Sequence, residues 1–127
     1  MSSRSDALLV QLESALARLD DVLRQPKNEY MRDSAIQRFE FTFELVWKTV
    51  KARLEEAGVR AYSPRDSFRE AFQVGLIADD PSWLASIELR NLIAHTYNEA
   101  TAEKIYAALP ALAALYRTLL ERLKASR

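Results

Sequence analysis

No cysteine occurs in this chain, which removes disulfide frameworks and thiolate metal sites from consideration. A single histidine, His95, cannot by itself supply a histidine-rich metal cluster, so metal catalysis is not expected and no cofactor is assigned. Two glycines and four prolines are few for 127 residues, and the chain is rich in Ala, Leu, Glu and Arg, which favours helices over strands. Neither sign of charge prevails. The 18 basic and 18 acidic residues cancel, so no whole-molecule field draws the protein to nucleic acid or an anionic membrane, and any polyanion site must be local. No apolar run approaches the roughly 20 residues needed to span a bilayer. The N-terminal segment meets charge within a dozen residues, and a cytoplasmic location is expected.

The apolar residues that are present fall at helical spacing. Leu8, Leu12, Ala15, Leu16, Leu19 and Leu23 trace one stripe, interrupted by Pro26 and Asn28. Ile36, Phe39, Phe43, Val46, Trp47, Val50 and Leu54 trace a stronger one, predicting the longest helix over about Glu29 to Ala57, with Gly58 as its C-cap. Phe41 and Leu45 lie off that stripe, and the wider apolar arc implies contact with a further helix or a second subunit. SPRD at 63–66 reads as a helix start, with Ser63 as N-cap and Pro64 at the first position; that helix runs to about Gln73 and ends near Gly75. Asp79, Asp80 and Pro81 mark another start. The last segment runs from about Thr101, with Pro110 predicting a kink or interruption. One domain over residues 1–127 is expected, an all-α antiparallel bundle of four to five helices.

The chemistry concentrates in RNLIAHTYNE at 90–99, where the only histidine stands five positions after Arg90 and two before Tyr97. At about 100° per residue Arg90 and His95 are roughly 140° apart on a continuous helix, whereas Asn91 and His95 share a face. Arg90 and His95 therefore converge only if the helix loosens near His95, or if the arginine bends around the cylinder. Asn98 and Glu99 are consistent with a helix end there. A lone histidine in such a place is often only a cap or a surface group. The functional reading rests on the groups themselves: an imidazole that titrates near neutrality, a fixed cation suited to phosphate, and a phenol. These suit phosphoryl transfer from a ribose 2′-hydroxyl. Since one histidine supplies only one of two proton-transfer groups, a two-fold dimer with the motif at its interface would supply the other. Asn91 is either a simple surface amide or a support for the imidazole or phosphate.

RNLIAHTY, read as Arg, four residues, His, one residue, Tyr, resembles the signature of the HEPN superfamily. In particular it is similar to the HepT-like toxins, also described as nucleotidyltransferase substrate-binding proteins. RDSAIQRFEFTFELVWKTVKARLEEAG at 32–58, SPRDSFREAFQVGLI at 63–77 and HTYNEATAEKIY at 95–106 are collinear with stretches of that family. The resemblance implies a homodimeric bundle whose two motifs face one another. It also implies the toxin of a HepT/MntA-like pair: a metal-independent endoribonuclease acting on RNA, with a minimal nucleotidyltransferase as its antitoxin partner. Arg90 and His95 match the catalytic pair, and Tyr97 matches the tyrosine that the partner modifies with AMP. Asn98 stands where the family often has Asp. The alternative is a non-catalytic substrate- or nucleotide-binding subunit of such a nucleotidyltransferase.

Other features have plainer readings. Phe39, Phe43 and Trp47 are read as core rather than as base-stacking platforms, and Arg65, Asp66, Arg69 and Glu70 as a solvated helix face. Glu44 and Lys48 have the favourable order for a helical ion pair. Arg117, Arg122, Lys124 and Arg127 make the last helix locally basic, either as a solvated end or as a surface for phosphates or an acidic partner.

Overall fold

The computed structural model describes residues 3–126. Five α-helices follow in order: α1 (Arg4–Leu23), α2 (Glu29–Glu56), α3 (Pro64–Gln73), α4 (Ser82–Leu92) and α5 (Glu99–Ala125), with one 3₁₀ turn, Ile93–His95, between the last two. Four helices start on a side-chain oxygen that accepts from an otherwise unpaired backbone N–H. Ser3 bonds the Asp6 amide, Asn28 that of Met31, Ser63 that of Asp66 and Asn98 that of Thr101. α2 and α3 run out just before Gly58 and Gly75, whose φ angles of +83° and +80° reverse the chain as only glycine does readily.

α1 and α2 form an antiparallel hairpin, the most extensive packing in the molecule. Ser5 at one end meets Glu56, and Arg18 near the other meets Arg38. α5 closes the bundle antiparallel to α1, with Lys124 on Glu13 and Arg117 on Asp20. Against α2 it is parallel: Glu99 at its start meets Arg32, and Leu123 near its end meets Arg53. The antiparallel expectation thus holds for two of the three long pairings. The third differs because the short helices α3 and α4 carry the chain back before α5 begins.

Leu9, Leu12, Leu16 and Leu19 of α1, Phe39, Phe43, Val46 and Val50 of α2, and Ile105, Leu109, Tyr116 and Leu123 of α5 are buried in one cluster. An aromatic chain extends it to the short helices. Phe39 stacks with Tyr116, Phe43 meets Phe68 of α3 edge-on, and Trp83 in the first turn of α4 lies 5.0 Å from Phe68 and 6.0 Å from Tyr116, centroid to centroid. Trp83 thereby fixes the helix whose last turns carry Arg90. Pro110 does not interrupt α5, which is continuous through it.

The basic residues of the last helix serve the fold. Arg117 pairs with Asp20, Arg122 donates to the Leu76 carbonyl at 3.0 Å, and Lys124 pairs with Glu13 at 2.9 Å. Arg127 lies outside the described residues. Arg69 pairs with Asp66 and Glu70 on the face of α3. Among the described residues no helix is long and apolar enough to cross a membrane.

Candidate functional site

α4 ends inside the motif. The Ile93 carbonyl accepts from both the Thr96 amide and the Thr96 hydroxyl, at 3.3 and 3.0 Å, so the last turn tightens to 3₁₀ geometry. The Asn98 amide donates to the His95 carbonyl at 3.1 Å, and the Asn98 side chain then caps α5. Thus Asn98 and Glu99 begin a helix as well as follow one. The helix therefore ends at His95 by tightening rather than loosening.

His95 and Tyr97 share the resulting turn. Both are exposed, Tyr97 at 83%, and their rings lie 6.0 Å apart at 75°. The imidazole has no hydrogen-bond partner among the described residues. Arg90 points elsewhere. Its Nε donates to Glu44 Oε1 at 3.3 Å and its Nη2 lies 3.5 Å from Glu40 Oε2, both on α2. Within one chain, no hydrogen bond joins Arg90 to His95 among the described residues, and none joins Asn91, which is exposed, to His95. The structure therefore brings together His95 and Tyr97, with Arg90 on the preceding helix held against α2.

The turn is anchored from behind by a buried cation. Arg32, only 4% exposed, donates from Nη1 to Glu99 at 2.6 Å and Glu103 at 3.1 Å, and from Nε to Asp33 at 3.0 Å. The hydrogen bond from Arg32 holds the Glu99 carboxyl below the usual range. Glu103 is lowered first by Lys27, then by Arg32. Arg32 itself is raised, most by Glu99. A second anchoring layer lies behind Arg90: Glu44 Oε2 accepts from the indole Nε1 of Trp47 at 3.0 Å and lies 3.8 Å from Lys48 Nζ.

Sequence spacing flagged Glu44 only as half of a helical ion pair with Lys48, because the α2–α4 contact that makes Glu40 and Glu44 partners of Arg90 is tertiary. It read Trp47 as core. Phe39 and Phe43 are core, but Trp47 is only partly buried and has this polar contact. Arg32 carried no sequence signal beyond its charge.

A shallow groove of about 330 Å³ lies away from the motif, between α3 and the start of α4, where Phe68, Phe72, Trp83 and Leu84 meet Arg65 and Arg69. Another lies on the α1–α2 face, with Val10, Ala15, Phe41 and Leu45 flanked by Arg18 and Arg38.

Residues 7–125 match the family described as "Nucleotidyltransferase substrate binding protein like". The chain belongs to the nucleotidyltransferase substrate-binding protein family. A relative in this family from Haemophilus influenzae, named probable ribonuclease HepT, is 33% identical over 94% of this chain and 88% of its own length. Two solved structures share the fold. One, from Thermus thermophilus, superposes with a TM-score of 0.83 at 40% identity, covering 88% of this chain and 98% of that one. The other, from Haemophilus influenzae, has a TM-score of 0.71 at 32% identity over 94% and 96% of the two chains, and its structure is described as revealing the fold of a substrate binding domain of a nucleotidyltransferase.

Proposed function

We propose that this family member is the toxin of a toxin–antitoxin pair: a single-domain protein that acts as a homodimer and cuts RNA without a metal ion. The observation that carries the reading is the pairing of an exposed imidazole and an exposed phenol on the turn between α4 and α5, directly after the helix that bears Arg90. The relative named as a probable ribonuclease supports the same activity.

In this mechanism the ribose 2′-oxygen loses its proton and attacks the adjacent phosphorus. The bond to the 5′-oxygen breaks, and that oxygen gains a proton, leaving a 2′,3′-cyclic phosphate and a 5′-hydroxyl. Each copy of His95 supplies one of the two proton transfers, and Arg90 stabilises charge on the phosphorane. Asn91, exposed one turn before His95, contacts the bound phosphate. The exposed apolar face containing Val10 and Phe41, at 66% and 46% exposure, is the kind of surface a second copy covers.

Tyr97 is the point of control. Its phenol oxygen takes AMP from a nucleoside triphosphate, with pyrophosphate leaving, in a reaction catalysed by a partner nucleotidyltransferase. The added phosphate places negative charge beside His95 and repels RNA. Mass spectrometry of the protein co-expressed with that nucleotidyltransferase should show AMP on Tyr97 and none on the Tyr97→Phe variant, which should stay toxic. An unmodified Tyr97 in a neutralised complex would contradict this control.

A second reading, a non-catalytic subunit that presents a substrate to the nucleotidyltransferase, is favoured by one observation. The Arg90 charge is already met by two carboxylates. Under that reading the purified dimer leaves RNA intact and expression without the partner is harmless.

A further inference from the structure

We infer that Glu44, braced by Trp47, is a positioning residue for Arg90: it orients the guanidinium so that its outer edge faces the RNA phosphate. This inference rests on the ribonuclease reading above. Arg90 carries five N–H donors in a rigid planar fork. Glu44 takes the Nε donor at 3.3 Å, and Glu40 faces Nη2 at 3.5 Å, so both carboxylates lie along one edge of the plane. Nη1 has no intramolecular acceptor among the described residues. The edge formed by Nη1 and the outer N–H of Nη2 thus meets no carboxylate among the described residues and keeps the two-donor geometry that a phosphate accepts.

Glu44 is itself held. Its second oxygen accepts from the Trp47 indole at 3.0 Å, and that ring packs against the core. The series from Trp47 to Glu44 to Arg90 leads from a ring packed on the edge of the core to a one-third exposed cation in two hydrogen bonds. Such bracing matters because catalytic geometry is unforgiving: a misplacement of about 1 Å costs on the order of 10²-fold in rate.

Charge makes the arrangement selective for the transition state. Glu40 and Glu44 oppose Arg90 and Lys48, so the cluster is formally neutral and attracts a ground-state phosphate weakly. The extra negative charge that develops on the phosphorane meets a guanidinium already pointed at it. Interactions that strengthen only in the transition state raise kcat rather than lower KM.

Single-turnover cleavage of a defined RNA by the purified protein, with Glu44→Ala, Glu44→Gln and Trp47→Phe in both native and Arg90→Ala backgrounds, tests this. Glu44→Ala should lower kcat about 10- to 100-fold without raising KM. Glu44→Gln, which keeps an acceptor, should lose less, and Trp47→Phe, which removes the N–H together with part of the indole's bulk, should lose several-fold. In the Arg90→Ala background all three should have no further effect, because they act through the guanidinium. Glu44 variants that keep the wild-type kcat, that raise KM alone, or that lose activity equally with and without Arg90 would overturn the inference. Should Glu44→Ala fold poorly, Glu44→Gln and Trp47→Phe decide it. If Arg90→Ala itself cuts at the wild-type rate, the ribonuclease role of Arg90 is what fails, and the two failures are distinct.

Discussion

Arg32 Nη1 at the start of α2 lies 2.6 Å from Glu99 Oε2 at the start of α5, and this buried cation ties the turn bearing His95 and Tyr97 to the longest helix. Its guanidinium also serves Glu103 and Asp33, so one side chain satisfies three carboxylates. Removing it leaves Glu99 and Glu103 facing one another without a shared cation. Arg32→Met should lower Tm clearly more than Arg24→Ala, whose exposed pair with Asp21 contributes little. Arg32→Lys should recover only part, since an ammonium lacks the fork. Equal Tm values for the Met variant and wild type would show that this tie does not hold the turn.

Acid should weaken the fold through three glutamates. The hydrogen bond from the Ser5 hydroxyl lowers Glu56, that from Arg32 lowers Glu99, and that from Lys27 lowers Glu103. A carboxyl whose pKa is depressed by folding stabilises the native state above its unfolded value, and that contribution fades as pH falls through the folded value. Thermal melts should therefore hold their Tm above the ordinary value of 4.5 and fall progressively below it. Ser5→Ala should flatten the part of that slope due to Glu56. A Tm that stays constant well below this value would contradict the assignment.

Asn98 caps α5 through its side-chain oxygen, 3.2 Å from the Thr101 amide. Asn98→Ala should cost about 0.5–2 kcal/mol. Asn98→Asp should be neutral or slightly stabilising, because aspartate caps equally well and its charge suits a helix N-terminus. Urea unfolding of both variants checks this, and a destabilised Asp variant would argue against a capping role.

The helices were legible because their signals are local: stripes at helical spacing, Ser63 with Pro64, and the glycines after α2 and α3 all act within a few residues. Asn98 and Glu99 also pointed to a helix end near His95, although it is Thr96 that tightens that turn. The parallel course of α5 beside α2 was not legible, since it depends on how α3 and α4 return the chain. In the same way the motif named Arg90, His95 and Tyr97, yet the groups that hold Arg90 and the start of α5 come from α2, tens of residues away. Glu44 read only as half of an ion pair with Lys48, and nothing in the sequence linked it to Arg90, or Arg32 to Glu99, before α4 and α5 pack against α2.

The central claim is that His95 moves a proton during RNA cleavage, and the direct measurement is the single-turnover rate of purified wild-type protein and His95→Ala on the same RNA. Among the described residues the exposed ring meets only Tyr97, so the variant should fold with an unchanged Tm. Its rate should fall by about 10²- to 10⁴-fold, the contribution of a positioned acid or base, with a 2′,3′-cyclic phosphate as the wild-type product. A folded His95→Ala variant that cuts at the wild-type rate would contradict it.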